Sequence, residues 1–128
     1  MTVSLSKNWE NYIPFVERND TAGATNLLDI KTVPTGKKLA LTDITVLNSH
    51  ATDAGIFRLY DEAEATPAGA PTGTAIRLAI SLEGLDTPAS CWAQIHYETP
   101  IIFENSIACT MSAGTLAIGS AVVSGFIC

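Results

Sequence analysis

A chain of 128 residues with 47% hydrophobic side chains is a single globular domain able to build its own core, which excludes a disordered polypeptide. Its 7 basic and 13 acidic residues give a net charge of −6, and no Lys or Arg follows Arg77, so clustered cations for nucleic acid or an anionic membrane surface are missing. The three cysteines, Cys91, Cys109 and Cys128, are odd in number and lack C-x-x-C spacing, so they read as reduced thiols and not as a zinc knuckle or disulfide framework.

In chain order, the first residues carry neither a basic start nor an apolar core, so no secretory signal is expected and synthesis is assigned to a host cytoplasm. Residues 1–30 read as an extended N-terminal arm. Within it Tyr12-Ile13-Pro14-Phe15-Val16 is extended, with Pro14 confining it to a sheet edge, and Asn26 to Ile30 is a strand or one helical turn. Pro34-Thr35-Gly36 supplies a turn. Leu39 and Leu41 then alternate, Asp43 breaks the phase and Ile44 and Val46 resume it, which predicts a bulge near Thr42-Asp43.

Asn48 to Gly55 is a polar connection, Ile56 to Tyr60 a short strand, and Asp61 to Thr74 a surface loop rich in Pro and Gly. Ile76, Leu78, Ile80 and Leu82 share one face of a strand. A turn over Glu83 to Pro88 leads to a strand at Cys91 to Tyr97, and Thr99 to Phe103 adds a short extended piece. No segment carries a helical apolar stripe. About eight strands at this spacing predict an all-β domain over 1–128, a β-sandwich or jelly roll of mostly antiparallel strands.

From Asn105 to Cys128 the chain has no charged side chain. Ile107 to Met111 and Leu116 to Val123 read as two strands joined by a tight turn at Ser112-Ala113-Gly114. A ribbon without edge charges invites pairing with other chains. The expectation is therefore that sister copies cover its free edge, and that Ile118 occupies a dry site. Ser and Gly residues interrupt the stretch before a membrane-spanning length accumulates. Interface candidates are Trp9, Tyr12 and Phe15 at one end and Phe126 and Ile127 at the other.

Candidate chemistry is sparse. His50 and Asp53, three residues apart, offer half a metal coordination sphere, whereas Asn48, Ser49 and Asp53 in the same loop suit local backbone hydrogen bonding. His96 alternates with Ile95 and Tyr97 and so faces outward with Trp92 and Gln94. Asp61-Glu62-Ala63-Glu64 lacks the pattern of a calcium loop and reads as a solvated acidic loop. Trp9, Tyr12, Tyr60, Trp92 and Tyr97 could stack on sugars, but strand aromatics ordinarily fill a core or an interface. No nucleophile, base and orienting acid come together in sequence, so no catalytic residue, cofactor or metal is assigned, and the chain reads as a non-enzyme.

The run Val33-Pro34-Thr35-Gly36-Lys37-Lys38-Leu39-Ala40-Leu41-Thr42-Asp43-Ile44-Thr45-Val46-Leu47-Asn48-Ser49, continued by Phe57-Arg58-Leu59-Tyr60-Asp61 and Thr99-Pro100-Ile101-Ile102-Phe103-Glu104-Asn105-Ser106-Ile107, resembles small β-sandwich virion proteins of tailed phages and related viruses. The resemblance implies a self-assembling capsid, head-decoration or tail subunit located in the virion, partnered by its own copies and other virion proteins. It transfers no functional residue, because such contacts follow no motif. The alternatives from other classes are a small carbohydrate-binding sandwich and a subunit of a cellular extracellular filament.

Overall fold

The structure, a computed structural model, describes residues 12–19, 27–64, 69–73, 75–113 and 119–128. Trp9 and Ile118, singled out above, lie outside the described residues. The strands are β1 (Ile13–Asn19), β2 (Leu28–Thr32), β3 (Leu39–Asn48), β4 (Gly55–Asp61), β5 (Ile76–Leu82), β6 (Trp92–Phe103), β7 (Ser106–Ala113) and β8 (Gly119–Ile127). They form two four-stranded antiparallel sheets, in the order β1-β8-β3-β6 and β2-β7-β4-β5, packed as a β-sandwich.

Alternation builds the core. Leu39, Leu41, Ile44 and Val46 of β3, Ala121 and Val123 of β8, and Phe103 of β6 point inward from one sheet. Phe57, Leu59, Leu82, Ile107, Cys109 and Met111 answer from the other. Phe57 and Phe103 are the largest fully buried side chains, and truncating either to Ala costs about 3–5 kcal/mol.

The predicted bulge is present, because the β3 register shifts between Leu41 and Asp43 against both β6 and β8. One inserted residue explains how the inward phase passes from Leu41 to Ile44. Cys91 to Tyr97 and Thr99 to Phe103, expected as separate pieces, belong to the one strand β6. Asp43 pairs with His96 and Leu41 with Ile101, so residues 97–100 form an irregular bow opposite the single Thr42. Pro100, which has no N–H to give, falls in that bow on an edge strand.

Two expectations are corrected. The uncharged tail is not a hairpin ribbon with a free edge: β7 lies between β2 and β4 of one sheet, while β8 lies between β1 and β3 of the other. Each is a central strand with both backbone edges paired, so its lack of charge reflects burial inside the sandwich. The arm of residues 1–30 is likewise interrupted, since Ile13–Asn19 pairs with β8 along its whole length and Leu28–Thr32 pairs with β7.

The two outer surfaces differ. On the β2-β7-β4-β5 sheet, Leu27, Tyr60 and Ala108 form a second buried cluster, and the Leu27 N–H donates to the Gly69 carbonyl at 2.9 Å. Loop residues thus roof part of that sheet. No comparable buried cluster covers the outside of the β1-β8-β3-β6 sheet among the described residues.

Candidate functional site

Register and alternation place the outward side chains of the β1-β8-β3-β6 sheet in rows. One row runs Pro14, Phe126, Ala40, Ile102; the next runs Val16, Ser124, Asp43, His96. A third holds Arg18, Val122, Thr45 and Gln94, and a fourth Ser120, Leu47 and Trp92. Val16 is 70% exposed, Trp92 53%, Tyr12 48% and Ile102 43%, so much of this face is apolar and open. The Tyr12 ring meets Phe126 edge-on, with centroids 6.3 Å apart, and extends the apolar end of the face.

Of the interface candidates chosen from sequence, Tyr12 and Phe126 lie on this surface. Phe15 and Ile127 alternate to the opposite side: Phe15 is 7% exposed within the core, and Ile127 packs half-buried against it. Sequence reasoning passed over Val16 and Ile102, and placed Trp92 outward beside His96 without naming it among the interface candidates. The usable signal was parity, since Tyr12, Pro14 and Val16 share one face of a strand whose other face holds Phe15.

His96 faces outward beside Trp92 and Gln94 as expected, and its Nδ1 lies 2.7 Å from a carboxylate oxygen of Asp43. The Thr42 hydroxyl donates to the other Asp43 oxygen at 2.7 Å. These hydrogen bonds, Thr42 first and His96 second, hold the Asp43 carboxyl below its ordinary range. The pair caps the bulge on the surface of the sheet.

His50 serves its own loop. Its Nδ1 accepts the N–H of Asp53 at 2.9 Å and of Thr52 at 3.3 Å, while Nε2 stands 3.7 Å from the Asp53 carboxylate. The fully buried Asn48 completes the arrangement by accepting from the His50 N–H and donating to the Asp53 and Glu83 carbonyls. The ring and amide therefore tie the β3–β4 loop to the end of β5, as the turn chemistry suggested.

The acidic loop departs from its solvated reading. Asp61 is 5% exposed and accepts the backbone N–H groups of Glu104 at 3.0 Å, Asn105 at 2.7 Å and Ser106 at 3.3 Å. Arg77 approaches it at 3.4 Å. Glu62 binds the Thr72 N–H and hydroxyl, and Glu64 and Asp29 exchange carboxylate-to-N–H bonds. These carboxylates staple the loop onto the sandwich, and among the described residues no group of three or more His, Cys, Asp or Glu side chains is arranged to hold a metal.

Cys91 and Cys109 are buried thiols and Cys128 is exposed. Burial, with the Asp29 charge adding to it, pushes the Cys109 thiol up to about 12, so it stays protonated and inert at neutral pH. Cys109 also lines a cavity of about 20 Å³ with Phe57, Met111 and Ala121 between the sheets, room for about one water molecule. Tyr60 is buried and Tyr97 half-buried against the core, which leaves Tyr12 and Trp92 as the exposed ring systems among the described aromatic candidates. Compared with protein-family models, with curated proteins and with solved structures, the chain matches none of them.

Proposed function

We propose that this chain is a non-enzymatic, self-assembling structural subunit, and that its copies associate through the open apolar side of the β1-β8-β3-β6 sheet. The observation that carries the reading is the contrast between the outer surfaces: one sheet carries the buried cluster of Leu27, Tyr60 and Ala108 and exposes Ile76 at its β5 edge, while the other presents Val16, Trp92, Tyr12 and Ile102 at 43–70% exposure. Large apolar side chains left this open on a small acidic domain, with Tyr12, Phe126 and Ile102 at one end of the face and Trp92 at the other, support a protein contact. The resemblance of the Val33–Ser49 run to β-sandwich virion proteins narrows the proposal to a capsid, decoration or tail subunit, with other virion proteins as further partners. Sedimentation velocity across a wide concentration range tests it. A species that remains monomeric at millimolar concentration contradicts the proposal.

A second reading has one observation behind it. Trp92 is exposed beside the outward Gln94, Thr45 and His96, an aromatic ring flanked by polar groups such as a small glycan platform uses. Titration of isotopically labelled protein with oligosaccharides separates the two: saturable shifts confined to Trp92 and its neighbours favour glycan binding, and their absence removes it.

A further inference from the structure

We infer that two copies associate edge to edge through β1, as an antiparallel pair related by a two-fold axis at Phe15, an inference that rests on the self-association reading and adds to the proposed face contact a separate contact in the plane of the sheet. Four strands lie at sheet edges, and three of them carry an irregularity. The β2 ladder shifts between Asp29 and Lys31, the β4–β5 ladder between Leu59 and Tyr60, and the β3–β6 ladder between Leu41 and Asp43. Such breaks blunt an edge against pairing with another chain. The β1 register runs from Ile13 to Asn19 without a shift, so β1 is the regular edge.

Its backbone direction follows from the bonds at the chain end. Lys38 and Cys128 exchange both backbone hydrogen bonds, at 2.8 and 2.9 Å, so even-numbered residues of β8 face β3 and odd-numbered ones face β1. Through the pairs Ile13↔Ile127 and Phe15↔Gly125, the odd residues of β1 bond to β8. The N–H of Val16 and the carbonyls of Pro14 and Val16 therefore point away from the sheet. Pro14, lacking an N–H, occupies a position where β8 asks nothing of it.

The occupant is a second copy because the strand is complementary to itself in this register. A two-fold at Phe15 sets Val16 against Pro14 of the second copy, with the Val16 N–H donating to the Pro14 carbonyl twice by symmetry. No proline donor is then required. It also sets Arg18 against Tyr12 of the second copy, so unlike side chains meet along the shared outer face. Shifting the axis to Glu17 would instead bring two carboxylates face to face, which is unfavourable. Val16, at 70% exposure the most open large apolar side chain on the described surface, gains cover in the first register. The two outer faces become one continuous eight-stranded surface.

Sedimentation equilibrium on the full chain, comparing wild type with Val16→Pro, tests the contact. Proline at this position removes only an outward N–H, so the fold and its melting temperature are expected to hold while the dimer dissociation constant rises at least about tenfold. A Val16→Pro chain that dimerises as wild type does overturns the β1 contact and leaves self-association standing. A wild type that never dimerises overturns both. Should Val16→Pro fail to fold, an isotope-filtered nuclear Overhauser experiment on a mixed labelled and unlabelled dimer decides: contacts between Val16 and Pro14 of different copies support the register, and their absence in a dimer rejects it.

Discussion

Asp61 shows how one carboxylate can close a connection. The β6–β7 turn leaves the N–H groups of Glu104, Asn105 and Ser106 converging where no strand can accept them, and the Asp61 side chain from the end of β4 takes all three. Hydrogen bonds to a charged acceptor are worth more than neutral ones, and buried donors left without a partner are costly. Asp61→Ala is expected to lower stability by about 2–4 kcal/mol, read as a fall in the urea midpoint at unchanged slope. A change below about 0.5 kcal/mol would mean that solvent already serves these groups. At the same scale the thiols differ: with Cys109 held up to about 12 and Cys91 buried, a disulfide reagent at pH 8 should titrate only Cys128 rapidly in the native protein. The remaining two of the three cysteines should react on unfolding, and rapid reaction of all three in native buffer would contradict their burial.

The strands and the β3 bulge were legible in the sequence because alternation reports which residues share a face. The shifts in the β2 and β5 ladders were not, and Ile76, expected to share a face with Leu78, Ile80 and Leu82, pairs with Tyr60 beyond the β5 shift and is 42% exposed. The Leu39, Leu41, Ile44, Val46 phase slip located the bulge to within a residue of its place. Alternation says nothing about which neighbour a strand takes, and that is why Ile107–Met111 and Leu116–Val123 read as one hairpin when β7 and β8 belong to opposite sheets. The Asp61 loop misled for a related reason, since hydrogen-bonding partners 43–45 residues away leave no local trace. The outer-face residues Val16 and Ile102 could have been found from parity, but their exposure depends on how the rest of the chain packs, which local sequence does not state. Gly125 carries a signal of its own that becomes readable only in the structure. A Cβ there would lie 1.8 Å from the Ala40 carbonyl oxygen, on the backbone of the bulged strand. Gly125→Ala must therefore push β8 away from β3 or distort the bulge, and an insoluble or molten product with lost near-ultraviolet dichroism is expected. Retention of wild-type melting by Gly125→Ala would mean that the two strands separate at that point without cost.

At the scale of the whole molecule the sandwich is asymmetric in what it leaves dry. The central strands β7 and β8 hold the uncharged stretch of the sequence inside the fold, so the proposed association is assigned to the sheet that carries no outer buried cluster among the described residues and not to the tail as such. That distinction can be measured by placing the same charge on each side. Ile102 is 43% exposed on the outer face of β6, and Ala79 is exposed on the outer face of β5 in the other sheet. Neither substitution to Lys leaves a buried charge, so both variants should melt within about 0.5 kcal/mol of wild type. They should part in their association. Ile102→Lys puts an ammonium into the apolar row with Pro14 and Phe126, which must lose its water if that row is covered by another copy. Ala79→Lys adds the same positive charge to the same acidic domain and controls for the change in net charge. Weaker association of Ile102→Lys alone, read by sedimentation velocity at matched salt, locates the contact on the β1-β8-β3-β6 side. Equal effects from the two variants would make the association a matter of net charge and remove the role assigned to that surface.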